Sequence, residues 1–571
     1  MNIRRILTVV TGVYLLLGAG DMRSQQEPNP AVDAIFSDLT QLGSPGCALG
    51  IYRDGKIIYA KGYGLANVEE NLPISPDTVF DVGSVSKQLT AASILLLEKQ
   101  GKLRLDDDVG KYLPELPDYS ARRGHKITIL DLLSHTSGVR DYVSPFLLSG
   151  INIDNVTTDS DAFGVIARQK ALNFSPGSDW QYSNSGYFLL SLVVKQVSGK
   201  SLKDFAAENI FQPLGMAHSQ YRNDHTSLIP HRAMAYDPGE NGGYKLSVSY
   251  AEETGDGMVQ TSIADLQKWD ENFYSGRVGG KNFVVNMEQQ AKLIDGRTVD
   301  YAKGLDIGEY RGLRTVSHSG GSGGYHAYFL QFPEQHFSVT CLCNRGGINR
   351  GKRVREVADL YLDGALKPKD SVFASSLTPN ELQALAGTYR DPKRGDVWRV
   401  SVVAGKLYAE IEGSLLELRA LSPTEFEPAD YPLKFHLRFE PALSDGTDRL
   451  IVDTLFQLPA TAESIPETRP ASAELAAYAG NYWSDELRAT YRLAIRDGKL
   501  WMKALIGADG IVHEGTVPFD ELRPTVTDEF DLKGAPLVFH FMRGGKRNVT
   551  GLTLNGLHER GILFSRSEYS E

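Results

Sequence analysis

Apolar and polar positions repeat along the chain with two different periods, and the change of period divides it. From Lys87 to Gln100 the run KQLTAASILLLEKQ returns apolar residues at helical spacing, and Gly101 follows as a stop. This predicts a long helix beginning near Ser84. Ala48–Arg53 and Lys56–Tyr63 read as strands joined by Asp54-Gly55, a hairpin turn signal. A short helix is expected over Ala31–Leu42, and a helix-rich stretch covers about 126–290. Strand patterns then return at Arg314–Ser317, Tyr325–Phe332 and Phe337–Asn344. Strands at both ends with helices between them predict an α+β unit, an antiparallel sheet flanked by helices.

Beyond a linker at 366–377 the helical period disappears. Short alternating stretches such as VWRVSVV and YRLAIR take over, the pattern of half-buried strands. This region contains an internal repeat. Glu381-Leu382, Gly387-Thr388-Tyr389 and Gly405-Lys406-Leu407 match Glu474-Leu475, Gly480-Asn481-Tyr482 and Gly498-Lys499-Leu500, all at an offset of 93. Thr424-Glu425-Phe426 matches Asp528-Glu529-Phe530 at an offset of 104, so the second copy carries 11 extra residues. They fall between Leu500 and Phe530, most simply in Ala504–Thr516, whose glycines suit a protruding loop. Each copy is read as a small antiparallel β-barrel, the first over 378–465 and the second over 470–571. The larger unit before them spans 26–368.

Residues 1–25 read as an export signal. Arg4 and Arg5 precede a mostly apolar run, Ile6–Gly20, that ends in the small residues Gly18-Ala19-Gly20. The run falls short of the ~20 residues of a spanning helix. The expectation is a cleaved signal, an exported protein in the periplasm or secreted, and no stable membrane span. Lys and Arg number 60 against 71 Asp and Glu, a net charge of −11, which argues against a nucleic-acid partner. Three cysteines are too few for a disulfide scaffold. Period-two alternation puts Cys341 and Cys343 on one face. All three are read as small buried residues, with a pairing of Cys47 to either of the others left open. No His or Cys completes a metal-ligand spacing, so neither metal nor cofactor is expected.

Three short motifs carry chemistry. In Ser84-Val85-Ser86-Lys87, a spacing of three puts Ser84 and Lys87 on one helix face, near free N–H groups at the helix start. A serine hydroxyl is a poor nucleophile until a neighbouring base takes its proton. In Tyr182-Ser183-Asn184, the Lys ammonium would favour loss of the phenol proton, and the Asn amide can both donate and accept. In His318-Ser319-Gly320-Gly321, glycines allow close backbone approach, and a strand edge here can lend an N–H to an oxyanion hole.

Together with Leu132-Leu133-Ser134-His135-Thr136-Ser137-Gly138 and Gln212-Pro213-Leu214-Gly215-Met216, the order of these motifs resembles the family of class C β-lactamases, D-Ala-D-Ala carboxypeptidases, D-aminopeptidases and related esterases. The resemblance implies Ser84 as acylated nucleophile and Lys87 with Tyr182 as the proton-transfer pair. It implies Asn184, His318 and Gly320 as substrate-binding residues, and an oxyanion hole from the N–H groups of Ser84 and Gly321. β-Lactamases of this kind usually carry Lys-Thr-Gly where this chain has His318-Ser319-Gly320. A neutral His attracts the carboxylate of a β-lactam less than a Lys does. The expected substrates are therefore small D-amino-acid peptides or amides. Carboxylesterase or weak β-lactamase activity, or a non-hydrolytic penicillin-binding sensor, are the alternatives. A catalytic unit followed by two related barrels resembles three-domain D-aminopeptidases, in which a loop of the last barrel enters the cleft. By that resemblance Ala504–Thr516, with Asp509 and Glu514, would meet a substrate ammonium. Oligomeric state is left open.

Overall fold

In the computed structural model, the described residues are 29–119, 126–151, 154–368, 377–411, 413–440, 447–505, 520–545, 548–556 and 558–567. The expected export signal lies outside them, as do most of the linker and residues 506–519. Among the described residues no helix is long and apolar enough to cross a membrane.

The first unit is built on a six-stranded sheet. Its strands are β1 (Cys47–Arg53), β2 (Lys56–Tyr63), β3 (Asp306–Tyr310), β4 (Leu313–Ser322), β5 (Tyr325–Phe332) and β6 (Phe337–Cys343). They lie in the order β3-β4-β5-β6-β1-β2, all neighbours antiparallel. The sheet joins segments from the two ends of the unit, as the returning strand pattern predicts. Both faces are covered. Val32 and Phe36, in and beside α1 (Pro30–Ile35), pack with Val354, Val357 and Leu362 of a late helix on the face bearing Leu49, Ile51 and Cys341. Ala48, Phe329 and Leu342 point the other way, into the main helical core. Burial on both faces explains why β1 and β6 read as continuous apolar runs and do not alternate.

That core surrounds α2 (Lys87–Lys99), which is buried from Lys87 to Leu97. It packs against α3 (Asn184–Ser198). The expected helix over Ala31–Leu42 is shorter, ending at Ile35 and followed by a 3-10 turn over Ser37–Leu39. The glycine-rich stretch after Ser317 continues β4 as far as Ser322.

All three cysteines are buried, as the sequence suggests, and of the pairings it leaves open one is formed. Cys47 and Cys343 form a disulfide, and only Cys341 is free. Antiparallel pairing of β1 with β6 sets Cys47 directly opposite Cys343, a juxtaposition across 296 residues that local pattern does not reveal. Cys341 shares the face of Cys343, their sulfurs 3.5 Å apart.

The two repeats are two closed eight-stranded barrels, bearing out the α+β unit followed by two β-barrels. Their correspondence extends to side chains. Tyr389 Oη donates to Leu385 O at 3.0 Å, and the matching Tyr482 Oη donates to Tyr478 O at 2.7 Å. Between the third and fourth strands the first barrel has only residues 412–413, where the second has 506–519. Ala504 and Leu505 belong to a strand. The extra residues therefore begin at 506, and the rest of the predicted loop lies outside the described residues.

Candidate active site

Ser84 lies in a 3-10 turn, Gly83–Ser86, that leads into α2. The turn packs directly on β4. Gly83 has φ +50°, and a Cβ there would lie 2.6 Å from Gly321 N. A Cβ on Gly320 would lie 2.0 Å from Val82 O. Only glycine at both places lets the two backbones meet. This close approach brings the main chain of Gly321 beside that of Ser84, the pair expected to form the oxyanion hole. Strand β3 pairs with β4 only from Leu313 to Ser317, so His318–Ser322 have no ladder partner on that side.

Lys87 begins α2 one turn after Ser84. Its Nζ donates to Ser84 Oγ at 3.0 Å, to Asn184 Oδ1 at 2.8 Å and to the Asp256 carbonyl at 2.7 Å. It also lies 4.8 Å from the centroid of the Tyr182 ring. Burial lowers the Lys87 pKa to about 8, opposed by the charges of Asp256 and Asp141. A buried ammonium sheds its proton more readily because the low-dielectric surroundings disfavour the charged form.

Tyr182 lies beside Lys87 and Ser84 and is enclosed by the protein. Its pKa is raised well above that of a free phenol, first by burial, against a smaller lowering by Ser84. The Lys87 ammonium acts in the opposite sense, easing loss of the phenol proton. Burial wins because it penalises phenolate, so Tyr182 rests as the neutral phenol. Below it sits His135 of the Leu-Ser-His-Thr motif, at φ +59°. Its ring lies tilted against Tyr182 and Tyr301, with centroids 4.4 and 4.5 Å away, and its Nδ1 accepts from Ser183 N at 3.1 Å.

Asn184 opens α3, and its N–H donates to Asp141 Oδ2 at 2.5 Å. An Asp carboxylate here satisfies a free donor at the helix start. His318 on β4 is buried, with Nε2 3.0 Å from Tyr301 Oη and Nδ1 2.6 Å from Ser319 O. Burial, together with the Lys87 charge, lowers its pKa to about 3. It is neutral at any ordinary working pH. The structure thus gathers Ser84, Lys87, Tyr182, Asn184, His318, Gly320 and Gly321 in one place.

Several residues at this place were not singled out by the sequence. Asp141 and Asp256 stand behind Lys87, and burial raises Asp256 to about 6. Tyr142 Oη donates to Asp256 Oδ2 at 3.0 Å. From the second barrel come His558, half-buried, and Glu559, buried. Burial raises Glu559 to about 8, and its Oε1 has no hydrogen-bond partner among the described residues. The first barrel supplies Phe456, whose carbonyl accepts from Tyr182 N at 2.9 Å. No motif marks these residues; only the assembled fold does. Among the described residues, three-membered groups of potential metal ligands occur at Cys47, Cys341 and Cys343 and at Asp224, His225 and Glu252, and neither includes a residue of this site.

A sheet-and-helix unit with a serine, a lysine and a tyrosine in mutual contact is the framework of a serine acyl-transfer enzyme. The chain belongs to the β-lactamase family, whose model matches residues 32–363, and it is a serine hydrolase. It is 31% identical over 394 residues to penicillin-binding protein 4* of Bacillus subtilis, covering 65% of this chain and 85% of that one. It is 27% identical over 392 residues to a D-aminopeptidase of Gluconobacter oxydans, covering 68% and 71%. A D-aminopeptidase of Cereibacter sphaeroides matches at 24% identity over 500 residues, 87% of this chain and 90% of the relative. Among solved structures, the octameric penicillin-binding protein homologue from Pyrococcus abyssi superposes with a TM-score of 0.56 at 26% identity, covering 76% of this chain and 99% of its own.

Proposed function

We propose that this is an exported hydrolase that cleaves D-amino-acid peptides or amides with a free amino group, through an acyl-enzyme on Ser84. Lys87 in its neutral form accepts the Ser84 proton as Oγ attacks the substrate carbonyl. The N–H groups of Ser84 and Gly321 hold the developing oxyanion. Tyr182, beside Ser84 and Lys87, gives its phenol proton to the departing amine and is reprotonated from Lys87. Water then repeats the sequence on the ester, releasing the acid and restoring Ser84. Asn184 holds Lys87 and offers its amide to the substrate, and His318 and Gly320 line the strand edge beside it.

The observation that carries the substrate class is the charge around Ser84. His318 is neutral, so no cation stands at the position where a Lys would meet a substrate carboxylate. The carboxyl groups of Asp141 and Asp256 lie close to Lys87. Such a field favours a substrate ammonium over a carboxylate. The D-aminopeptidase relatives support the same class. Export is supported by the leader-like first residues and by the Cys47–Cys343 disulfide, a bond that persists in oxidising compartments.

One comparison tests this reading. D-Alanyl-p-nitroanilide, a D-Ala-D-Ala peptide blocked at its amine, p-nitrophenyl butyrate and nitrocefin are offered to the enzyme and to Ser84→Ala. The free-amine anilide is expected to have the highest kcat/KM, with turnover and fluorophosphonate labelling both lost in Ser84→Ala. Faster cleavage of nitrocefin or of the blocked peptide overturns the substrate class. Normal labelling of Ser84→Ala overturns the nucleophile.

A further inference from the structure

Three acceptors share the Lys87 ammonium: Ser84 Oγ at 3.0 Å, Asn184 Oδ1 at 2.8 Å and the Asp256 carbonyl at 2.7 Å. Lys87 itself is buried, whereas the three residues that supply these acceptors are each only half-buried. They border the opening beside Lys87, and Asp256 forms part of its rim. The chain around Asp256 is pinned to α2 and to the turn before it. Thr90 Oγ1 donates to the Gly255 carbonyl at 2.6 Å, and Val259 N donates to Ser86 Oγ at 3.0 Å. Gly255, at φ +115°, sits so close to α3 that a Cβ there would lie 2.4 Å from Tyr187 O. At Gly257, on the other side of Asp256, a Cβ would meet nothing within 4 Å. The segment is thus fixed at its inner side and open beside Asp256.

The two carboxyl groups close to Lys87 are not equivalent. Asp141 is 1% exposed, and both its oxygens are committed: Oδ2 accepts from Asn184 N at 2.5 Å, and Oδ1 from Val143 N at 2.8 Å. Asp256 has a single side-chain tether. Its Oδ2 accepts from Tyr142 Oη at 3.0 Å, while Oδ1 accepts from no other side chain among the described residues. The tether is firm, because the Tyr142 ring is buried and packs against Phe146 and Phe188 at 5.5 and 5.6 Å. A carboxylate held at one oxygen and open at the other is a ready acceptor for a charge-assisted hydrogen bond.

We propose that Asp256 is a specificity-determining residue that receives the α-ammonium of the substrate on Oδ1, with Tyr142 as the positioning residue that holds its carboxyl. The inference rests on the reading above, in which the substrate carries a free amino group. The chemistry fixes where that group sits. Its nitrogen is on the carbon next to the carbonyl that Ser84 attacks, so it lies at the rim that Ser84, Asn184 and Asp256 share. Acylation of the amine removes the charge and with it the charge-assisted bond.

The test uses the full-length protein and kcat/KM for D-alanyl-p-nitroanilide and its N-acetyl counterpart at pH 7, below the ~8 of an α-amino group. The ratio of the two is read, because a change acting through Lys87 or Ser84 moves both rates and cancels. Asp256→Asn keeps the size of the side chain and an acceptor for Tyr142 but removes the charge. The free-amine preference is expected to fall about 10–100-fold, the range for loss of one hydrogen bond to a charged group, chiefly through KM of the free amine. Tyr142→Phe is expected to lower it about threefold, the scale of one ordinary hydrogen bond. Equal losses on both substrates in Asp256→Asn assign its carboxyl to Lys87 alone and overturn the inference. So does a ratio within about twofold of the parent, less than one such bond is worth. If Asp256→Asn does not fold, Tyr142→Phe decides, and an unchanged ratio there overturns the inference. A parent enzyme without preference for the free amine overturns the substrate class and this inference together. A parent preference that survives Asp256→Asn overturns only the role of Asp256.

Discussion

The two barrels reach the catalytic unit through the same turn of their repeated topology and put different chemistry there. In the first, the connection between the seventh and eighth strands, Arg449–Thr454 and Ala460–Ile465, carries Phe456. In the second, the connection between Val549–Asn555 and Ile562–Ser567 carries His558 and Glu559. The first copy lends a backbone carbonyl and an aromatic ring. The second lends two titratable side chains, His558 half-buried and Glu559 buried. Duplication thus kept the barrel, including the matched Tyr389 and Tyr482 bonds, while the connecting turns diverged. A closed barrel fixes its strands by ladder hydrogen bonds and leaves its turns free to vary.

The junctions differ in the same direction. Arg140 of the catalytic unit pairs with Glu486 of the second barrel, side chains 2% and 4% exposed. Arg394 of the first barrel pairs with Asp179 at 3.3 Å, with 12% and 14% exposure. Removing one partner of a fully buried pair strands the other charge and costs about 3–5 kcal/mol. Arg140→Ala is therefore expected to destabilise by that amount in urea unfolding. Arg394→Ala is expected to cost about 1.5–3 kcal/mol, the usual worth of hydrogen bonds to charged groups. Equal losses would erase the contrast between the junctions.

The part of the site legible in the sequence is the part built locally. Ser84 and Lys87 are three residues apart on one helical turn, so their contact follows from helix geometry. Gly320 and Gly321 announce a close backbone approach by their type alone. What the sequence hides depends on distant chain. Cys343 meets Cys47 only because β6 pairs with β1. His558 stands in an ordinary polar turn, and nothing near it in sequence marks it as a neighbour of Phe456. The pKa of Tyr182 is hidden for a related reason. A motif reveals a neighbouring charge, but burial is a property of the whole fold, and here burial is the larger effect. Among the described residues the second barrel meets the site through 558–561, a stretch that no motif marks.

The pH dependence sharpens the comparison, because Lys87 and Glu559 both have pKa values raised or lowered to about 8. The proposed base is neutral Lys87, so kcat/KM should rise about tenfold per pH unit below 8 and level off above it. Glu559→Gln removes the carboxyl of the second barrel and leaves Lys87 in place. The rising limb is expected to persist near pH 8 in that variant. Its disappearance would assign the titration to the barrel and remove Lys87 from the role of base. A profile flat from pH 6 to 9 would exclude both.

The smallest expected effect bears on the likeness of the barrels themselves. Tyr389 and Tyr482 each donate a hydroxyl to the carbonyl four residues earlier, and both rings are buried. In the first copy the hydroxyl ties the end of the short helix, Leu385, to the first strand; in the second it ties the turn after the helix, at Tyr478, to the first strand. Tyr→Phe keeps the ring, so packing is unchanged and only the hydrogen bond is lost. One neutral hydrogen bond contributes about 1 kcal/mol net. Tyr389→Phe and Tyr482→Phe should therefore each cost about 1 kcal/mol, with catalysis unaffected. The losses need not be equal, because a stranded carbonyl that water reaches is cheaper than one kept dry. In the second barrel, Arg543 stacks on Tyr478 and donates to its hydroxyl at 3.1 Å, fixing the residue whose carbonyl Tyr482 uses. Tyr482→Phe is accordingly expected to be the costlier of the two. Urea midpoints for the pair decide the matter: a loss confined to Tyr389→Phe would show that the shared bond has different work in the two copies.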